Sequence, residues 1–342
     1  MTSLRWKSSN PGGAVCQEDR YGPLDALRLA EVPQPAPSDN EVLIRVHASC
    51  INFNNLAYVT GEPRFARLMG VGLFKPKCER PGDDIAGRVE AVGRNARQFR
   101  PNDEVFGNLA GRGYGAFAEY VCAPEEAIAL KPVNGTFEEA AAVVQAGSVA
   151  LRALRDAGRI QKEHHVLIYG ASGGIGSLAV QIAWSFGAEV TGVCSTRNVE
   201  MVQSLGADHV IDYTREDFTG NGKSYDLILA TSGYRSIFDY KRALSPCGRY
   251  VATGGTMRGP KTMAQVMQAL VLGPLISKAG GKQLGISHVG KVNQDDLLAL
   301  KKLIESGKVR PVIDRRYNLG DVAEALKYYQ TGRAKGKVVI TI

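Results

Sequence analysis

The sequence predicts a two-part α/β protein: a small β-barrel or sandwich, followed by a parallel sheet covered by helices on both faces. Three observations carry that expectation. The chain has 342 residues, a length that favours two domains of ordinary size. Short β-like runs fill its first third, and near residue 131 the texture changes to alternating strands and helices. Within that second texture, YGASGGIG (169–176) sets a glycine-rich turn between an apolar strand and an apolar helix.

The elements follow in order. EVLIRVHASCI (41–51), DIAGRVEAVG (84–93), DEVFG (103–107) and FAEYVCA (117–123) read as strands, separated by turn residues such as Pro81, Gly82, Gly93, Pro101 and Gly107. EEAAAVVQAGSVALRALRDAG (138–158) has helical spacing. A buried strand at 166–169, the glycine turn and a helix through Phe186 come next. The alternation continues with EVTGVCS (189–195), a helix at 198–205, HVIDY (209–213), YDLILAT (225–231), a helix around 235–244 and RYVATGG (249–255). DDLLALKKLIESG (295–307) is an amphipathic helix with a glycine stop, and a helix at 321–330 and the strand KVVITI (337–342) follow.

Hydrophobic residues make up 44% and charged residues 22%, enough for a full core. Mean hydropathy is −0.14, and no charge-free apolar run approaches about 18 residues, which excludes a membrane-spanning helix. Pervasive disorder, collagen-like repeats and a coiled coil are excluded on the same grounds. The 42 Lys and Arg against 34 Asp and Glu leave a net charge of +8. That charge fits nucleotide phosphates, acyl carriers, nucleic acid or anionic lipid. No DNA-recognition motif accompanies it, so nucleic acid is not the expected partner. Six cysteines are scattered without a C-x-x-C pair, excluding a zinc ribbon or a redox pair and pointing to reduced thiols in a cytoplasmic setting. The segment MTSLRWKSSNPGG lacks the apolar stretch of a secretory signal and reads as a disordered tail.

The glycine turn is a variant dinucleotide fingerprint in which Ala171, Gly173 and Gly176 fill the three small positions. Ala171 permits the tight turn, Gly173 lets the backbone approach a pyrophosphate, and Gly176 lets helix and strand pack closely. Ser172, Gly174 and Ile175 complete the cradle, with helix N-terminal amides facing the phosphates. The next strand ends at Cys194, Ser195, Thr196 and Arg197, where an NAD site would carry Asp or Glu. Two hydroxyls and a guanidinium suit a 2′-phosphate instead, so NADPH is the expected cofactor. Tyr213 either lines the adenine pocket or belongs to the core.

Beyond these local readings, RYGPLDALRLAEVPQPAP, EVLIRVHASCINFNN, PGDDIAGRVEAVG, FRPNDEVFG, FAEY, YGASGGIG, LGADHVIDY and GKVRPVID…GKVVITI together resemble the medium-chain dehydrogenase/reductase superfamily, in its zinc-free quinone oxidoreductase-like branch. The resemblance spans nearly the whole chain. It implies a GroES-like substrate-binding barrel over residues 1–130, completed by 292–342, around a Rossmann NADP-binding domain at 131–291. Zinc members carry a Cys where this chain has Asn52 and a His–Glu pair where it has Asp83–Asp84. Without a metal Lewis acid, simple alcohol oxidation is disfavoured. Hydride transfer to a quinone or an α,β-unsaturated carbonyl is the expected reaction, since such acceptors need positioning and hydrogen-bond donors.

The resemblance places Asn52 and Asn55 in the cleft beneath the nicotinamide, Asn52 as an orienting donor. Asn55 has the alternative of satisfying turn backbone. Tyr58 is read either as a proton donor or oxyanion contact, or as barrel packing. Ser232, Gly254, Gly255 and Lys337 match cofactor-side positions. Three positions depart from the branch: Asn55 stands for a common acid, Ala57 for a common tyrosine and Val149 for a common threonine. A homodimer is implied by analogy.

Two segments, 64–80 and 258–282, mix cations with apolar residues; the first has five Lys and Arg to one acid, the second four to none. They read as a lid or dimer-flanking helix, as a cationic rim for acyl substrates, or as a contact with anionic membrane. The second is expected to be interrupted at Gly273–Pro274. The alternative functions are an enoyl-thioester reductase and an NADPH-binding, membrane-associated or regulatory protein with little catalysis.

Overall fold

A computed structural model describes residues 13–16, 21–62, 64, 67, 72–76, 80–232, 235–253, 259–286 and 290–342. The barrel part contains β1 (Gly13–Cys16), β2 (Arg28–Glu31), β3 (Glu41–Cys50), α1 (Phe53–Thr60), β4 (Asp84–Val92), β5 (Glu104–Asn108), β6 (Tyr120–Pro124) and β7 (Ile128–Leu130). The helix α2 (Phe137–Arg152) leads to β8 (His165–Tyr169), α3 (Gly174–Ser185), β9 (Glu189–Cys194), α4 (Val199–Ser204), β10 (His209–Asp212) and β11 (Tyr225–Ala230). After these come α5 (Ile237–Ala243), β12 (Leu244–Ala252), α6 (Gly259–Ala279) and β13 (Gln283–Ile286). The chain finishes with α7 (Gln294–Glu305), β14 (Ile313–Asn318), α8 (Val322–Gln330) and β15 (Lys337–Thr341).

Six parallel strands form one sheet in the order β10-β9-β8-β11-β12-β13. Its strands are apolar on both faces because helices cover both. Val166 and Ile168 of β8 face one core with α3, while Leu167 faces the other with α5 and α6. The strand order reverses between β8 and β11, and the crevice beyond their C-terminal ends is the place where such sheets take ligands.

The second sheet runs β14-β15-β3-β4-β5-β7, with β6 also paired to β3. β15 lies antiparallel to β3, so strands from opposite ends of the chain share one barrel. Alternation on β3 turns Val42, Ile44 and Val46 into the barrel core. Its far end, Ala48 to Cys50, is buried on both faces, because α2 lies across the barrel. There Ala48, Ala86 and Ala129 meet Ala140–Ala146, and small residues on both partners permit the close approach. Thr136 and Glu139 form a reciprocal cap that starts α2, worth about 1 kcal/mol.

Two expectations are corrected. The helix expected over 138–158 is regular only to Arg152 and widens into a π-turn at Ala153–Ala157. There Arg152 and Arg155 converge on the buried carboxylate of Asp296. The segment 258–282 is not interrupted at Gly273–Pro274: α6 runs unbroken through Pro274. Proline forfeits one ladder hydrogen bond, but Gly273 lies so close to β13 that a Cβ there would sit 2.7 Å from the Leu284 carbonyl. Ser277 Oγ fastens the same turn by donating to the Gly273 carbonyl at 2.8 Å. Tertiary packing therefore outweighs the local breaker. Among the described residues no helix is long and apolar enough to cross a membrane.

Candidate active site

The turn after β8 is steric in origin. Gly170 adopts φ +86°, and a Cβ there would meet Ser232 Oγ at 2.3 Å. Gly176 packs so tightly against the turn that a Cβ would stand 2.1 Å from the Gly170 carbonyl. Gly173 is different: a Cβ would meet only the Gly170 carbonyl, at an ordinary 3.5 Å. Space lies open above it, and α3 begins at once with Gly174, Ile175 and Gly176, whose amides have no intrahelical acceptor. Ala171 is fully buried beneath. This donor-lined, side-chain-free hollow fits the diphosphate of a dinucleotide.

At the end of β9, Cys194 turns its thiol into the core, where burial pushes it up to about 11; its carbonyl accepts from the amide of Tyr213. Asn198 Nδ2 donates to Ser172 Oγ at 2.9 Å and to Ser195 Oγ at 3.3 Å, tying the turn to this strand end. The Thr196 hydroxyl, expected to face a phosphate, instead donates to Asp212 Oδ2 at 2.5 Å. That bond is the main reason the Asp212 carboxyl lies below its ordinary range. Arg197 is exposed, and its guanidinium reaches the Arg333 carbonyl at 3.5 Å while Lys335 Nζ reaches the Arg197 carbonyl at 3.4 Å. Three cationic residues thus gather here, two of them missed by the sequence reading because they arrive from the far end of the chain. Tyr213 is 55% exposed, a surface ring rather than a core one.

The two sheets are stitched at the turn. Gly173 bridges Gly336, and the Gly336 amide donates to the Ser172 carbonyl at 3.0 Å. Lys337, the first residue of β15, passes beneath Gly174 and enters the barrel side, where it is 5% exposed. Its Nζ donates to Asn52 Oδ1 at 2.6 Å. Asn52 Nδ2 donates to Asp84 Oδ2 at 2.7 Å, and Asn108 Nδ2 donates to Asp84 Oδ1 at 2.7 Å. The amide of Gln145 adds a longer contact to Asp84 at 3.4 Å. Burial disfavours the Lys337 cation, but Cys50, Asp84 and Tyr329 outweigh it and hold its pKa above the ordinary value. Burial pushes the Cys50 thiol up to about 11.

Asn52 therefore has both ends of its amide engaged inside the protein. Asn55 closes a capping box on α1, its Oδ1 accepting from the Asn52 amide at 2.7 Å. Tyr58 is 7% exposed and donates to the Tyr114 hydroxyl at 2.9 Å. Ser232 follows β11 beside the Gly170 turn, whereas Gly254 and Gly255 lie outside the described residues. Sequence reasoning had passed over Asp83, Asp84 and Asn108 as site residues. The signal was present in PGDD, two acids leading directly into the uncharged start of a strand, Ile85–Ala86–Gly87.

Several buried polar atoms here have no hydrogen-bond partner among the described residues: Asn55 Nδ2, both Asp83 oxygens, Gln145 Oε1 and Ser148 Oγ. Gln145 and Ser148 stand one turn apart on α2. Among the described residues, no three His, Cys, Asp or Glu side chains gather as metal ligands.

Comparison with known proteins bears on the same two parts. The chain matches the Alcohol dehydrogenase GroES-like domain family over residues 38–133 and the Zinc-binding dehydrogenase family over residues 205–340. It is 34% identical over 331 residues to the 2-methylene-furan-3-one reductase of Solanum lycopersicum, covering 94% of this chain and 76% of that one. It is 31% identical over 335 residues to the chloroplastic NADPH-dependent alkenal/one oxidoreductase of Arabidopsis thaliana, covering 94% and 77%. The solved quinone oxidoreductase of Coxiella burnetii superposes with a TM-score of 0.80 at 27% identity, over 97% of this chain and 99% of that one. With a GroES-like barrel joined to a Rossmann-like sheet, the chain belongs to the medium-chain dehydrogenase/reductase superfamily, in its quinone oxidoreductase-like branch.

Proposed function

We propose that this protein is an NADPH-dependent oxidoreductase that reduces a quinone or an α,β-unsaturated carbonyl without zinc. The observation that carries the reading is the junction itself: an open, amide-lined turn at the sheet's switch point, joined through Gly173–Gly336 to a buried polar cluster in the barrel. The alkenal/one oxidoreductase and furanone reductase it resembles act on acceptors of this class by name.

When bound, the dinucleotide supplies a hydride, the part of the chemistry the protein has no group for. The chain's residues do the rest. Amides of Gly174, Ile175 and Gly176 hold the diphosphate, and Ala171, Ser172 and Gly173 shape the turn. Arg197, joined by Arg333 and Lys335, receives the 2′-phosphate, which favours NADPH over NADH. Tyr213 packs on the adenine. On the barrel side, Lys337 fixes Asn52 through its carbonyl oxygen and Asp84 fixes it through its amide, so Asn52 forms a rigid floor rather than a free donor. We assign 131–291 to the cofactor and 1–130 with 292–342 to the acceptor, in keeping with the sheet that β14 and β15 join. We infer a homodimer by analogy; among the described residues the outer edge of β13 pairs with no further strand.

The test is steady-state NADPH oxidation with a panel of quinones, enals and acyl-CoA thioesters, on protein whose zinc content has been measured. Turnover with quinones or enals at substoichiometric zinc is expected. Stoichiometric zinc would contradict the metal-free reading, and turnover confined to thioesters would make it an enoyl-thioester reductase. Tight NADPH binding with no turnover would leave a regulatory protein.

A further inference from the structure

The two acids that precede and open β4 are treated very differently by the fold. Both are fully buried. Asp84 takes the available donors, one each from Asn52 and Asn108 and a longer one from Gln145, and it faces the Lys337 cation through Asn52. Neither oxygen of Asp83 meets a donor in hydrogen-bonding geometry among the described residues. The Asn55 amide, near enough to act on Asp83, is itself buried with Nδ2 unpartnered. One buried cation balances one buried anion, and a second anion beside them would have no cation of its own, so its burial is costly. Burial and the charge of Asp84 push the Asp83 carboxyl up to about 8, against the opposing amides of Asn54 and Asn55. Burial raises the Asp84 carboxyl too, but there Lys337 and the amides of Asn52, Asn108 and Gln145 oppose it, so of the two adjacent acids Asp83 is the one left to hold the proton.

We propose that Asp83 is the proton donor of the reduction, presenting a carboxylic acid O–H, with Asn55 Nδ2 beside it, to the oxygen of the bound acceptor. This rests on the reductase reading above. For an enone, hydride from the dinucleotide forms a C–H bond at the β-carbon and the C=C pair shifts toward the carbonyl oxygen. That oxygen takes the Asp83 proton as the Asp83 O–H bond breaks. The products are the enol, which tautomerises to the saturated ketone, the oxidised dinucleotide, and an Asp83 carboxylate that regains its proton from water. Among the described residues, the titratable and charged groups nearby are Asp84 on the same strand, Cys50 opposite it on β3, Lys337 on β15 and Tyr58 one turn beyond Asn55 on α1. Arg112 is turned onto the carbonyls of Asn108 and Val292, and Tyr114 onto Tyr58. The facing turn of α2 offers only Gln145 and Ser148.

The experiment compares the full-length wild type with Asp83→Asn in two ways. The first is melting temperature against pH. An acid that keeps its proton when folded but loses it when unfolded binds more protons in the native state. Wild-type stability then falls relative to Asp83→Asn as pH rises from about 4 to about 8. The melting difference, variant minus wild type, should widen over that window and level off above it; a difference independent of pH overturns the proposal. The second readout is kinetic. With an enal acceptor, kcat of Asp83→Asn should drop about 100-fold with NADPH affinity unchanged, and the alkaline fall of wild-type kcat near pH 8 should vanish. An undiminished kcat, or an alkaline limb that persists in the variant, also overturns it. Inactivity of the wild type with every acceptor would sink the reductase reading and this proposal together, whereas the preceding outcomes sink the proposal alone.

Discussion

At Gly170, Gly173, Gly174 and Gly176 the chain leaves side chains out, so that backbone amides stand open above a steric minimum. Beneath that turn it does the reverse, filling a dry space with Lys337, Asn52, Asp84 and Asn108, whose hydrogen bonds close on one another. At Gly170 and Gly176 the first region tolerates no added atom, and the second tolerates no missing one. A cradle that must admit a large anion gains from emptiness. A cluster that holds charge away from water gains only when every donor has an acceptor.

Substitutions can break this contrast in order of size. Asp84→Ala removes the partner of two amides and the counter-charge of a buried Lys337. It should cost about 3–5 kcal/mol in chemical unfolding, and a loss below about 1 kcal/mol would mean the cluster is not tightly coupled. Gly176→Ala forces a Cβ against backbone 2.1 Å away and should lower stability by about 1–3 kcal/mol while weakening dinucleotide binding. Gly173→Ala sharpens the comparison. Its φ of −81° suits alanine and its Cβ meets only ordinary contact, so melting should hardly move while titration with NADPH weakens. Equal melting losses for the two glycines would erase the distinction between packing and cradle. Arg197→Ala should weaken NADPH about tenfold and leave NADH unchanged; equal losses would remove the 2′-phosphate role. Thr136→Ala, at the cap of α2, should cost about 1 kcal/mol with kcat intact.

Legibility followed the same divide. The turn could be read from eight consecutive residues because its requirements are local: a strand end, a missing Cβ, a helix start. The hydroxyls at 195–196 were legible as polar but not as engaged, since Thr196 finds its acceptor on the neighbouring strand β10. Asn52 and Lys337 were each picked out, but not as partners, and Asp84 was passed over as a site residue. Lys337 lies 285 positions away, and nothing near either residue encodes that meeting. The unbroken α6 makes the point in reverse, for Pro274 is a correct local signal of a break that contact with β13 overrides.

By itself, the order of residues determined the two-part α/β architecture, the dinucleotide turn and the superfamily, because periodicity, glycine placement and motif spacing act over short stretches. Only the tertiary structure decided which of two neighbouring acids is supplied with donors, that Arg333 and Lys335 join Arg197, and that Lys337 locks Asn52. Charge and hydrogen-bond partnership depend on what the folded chain brings within about 3 Å, and that distance has no counterpart in sequence separation.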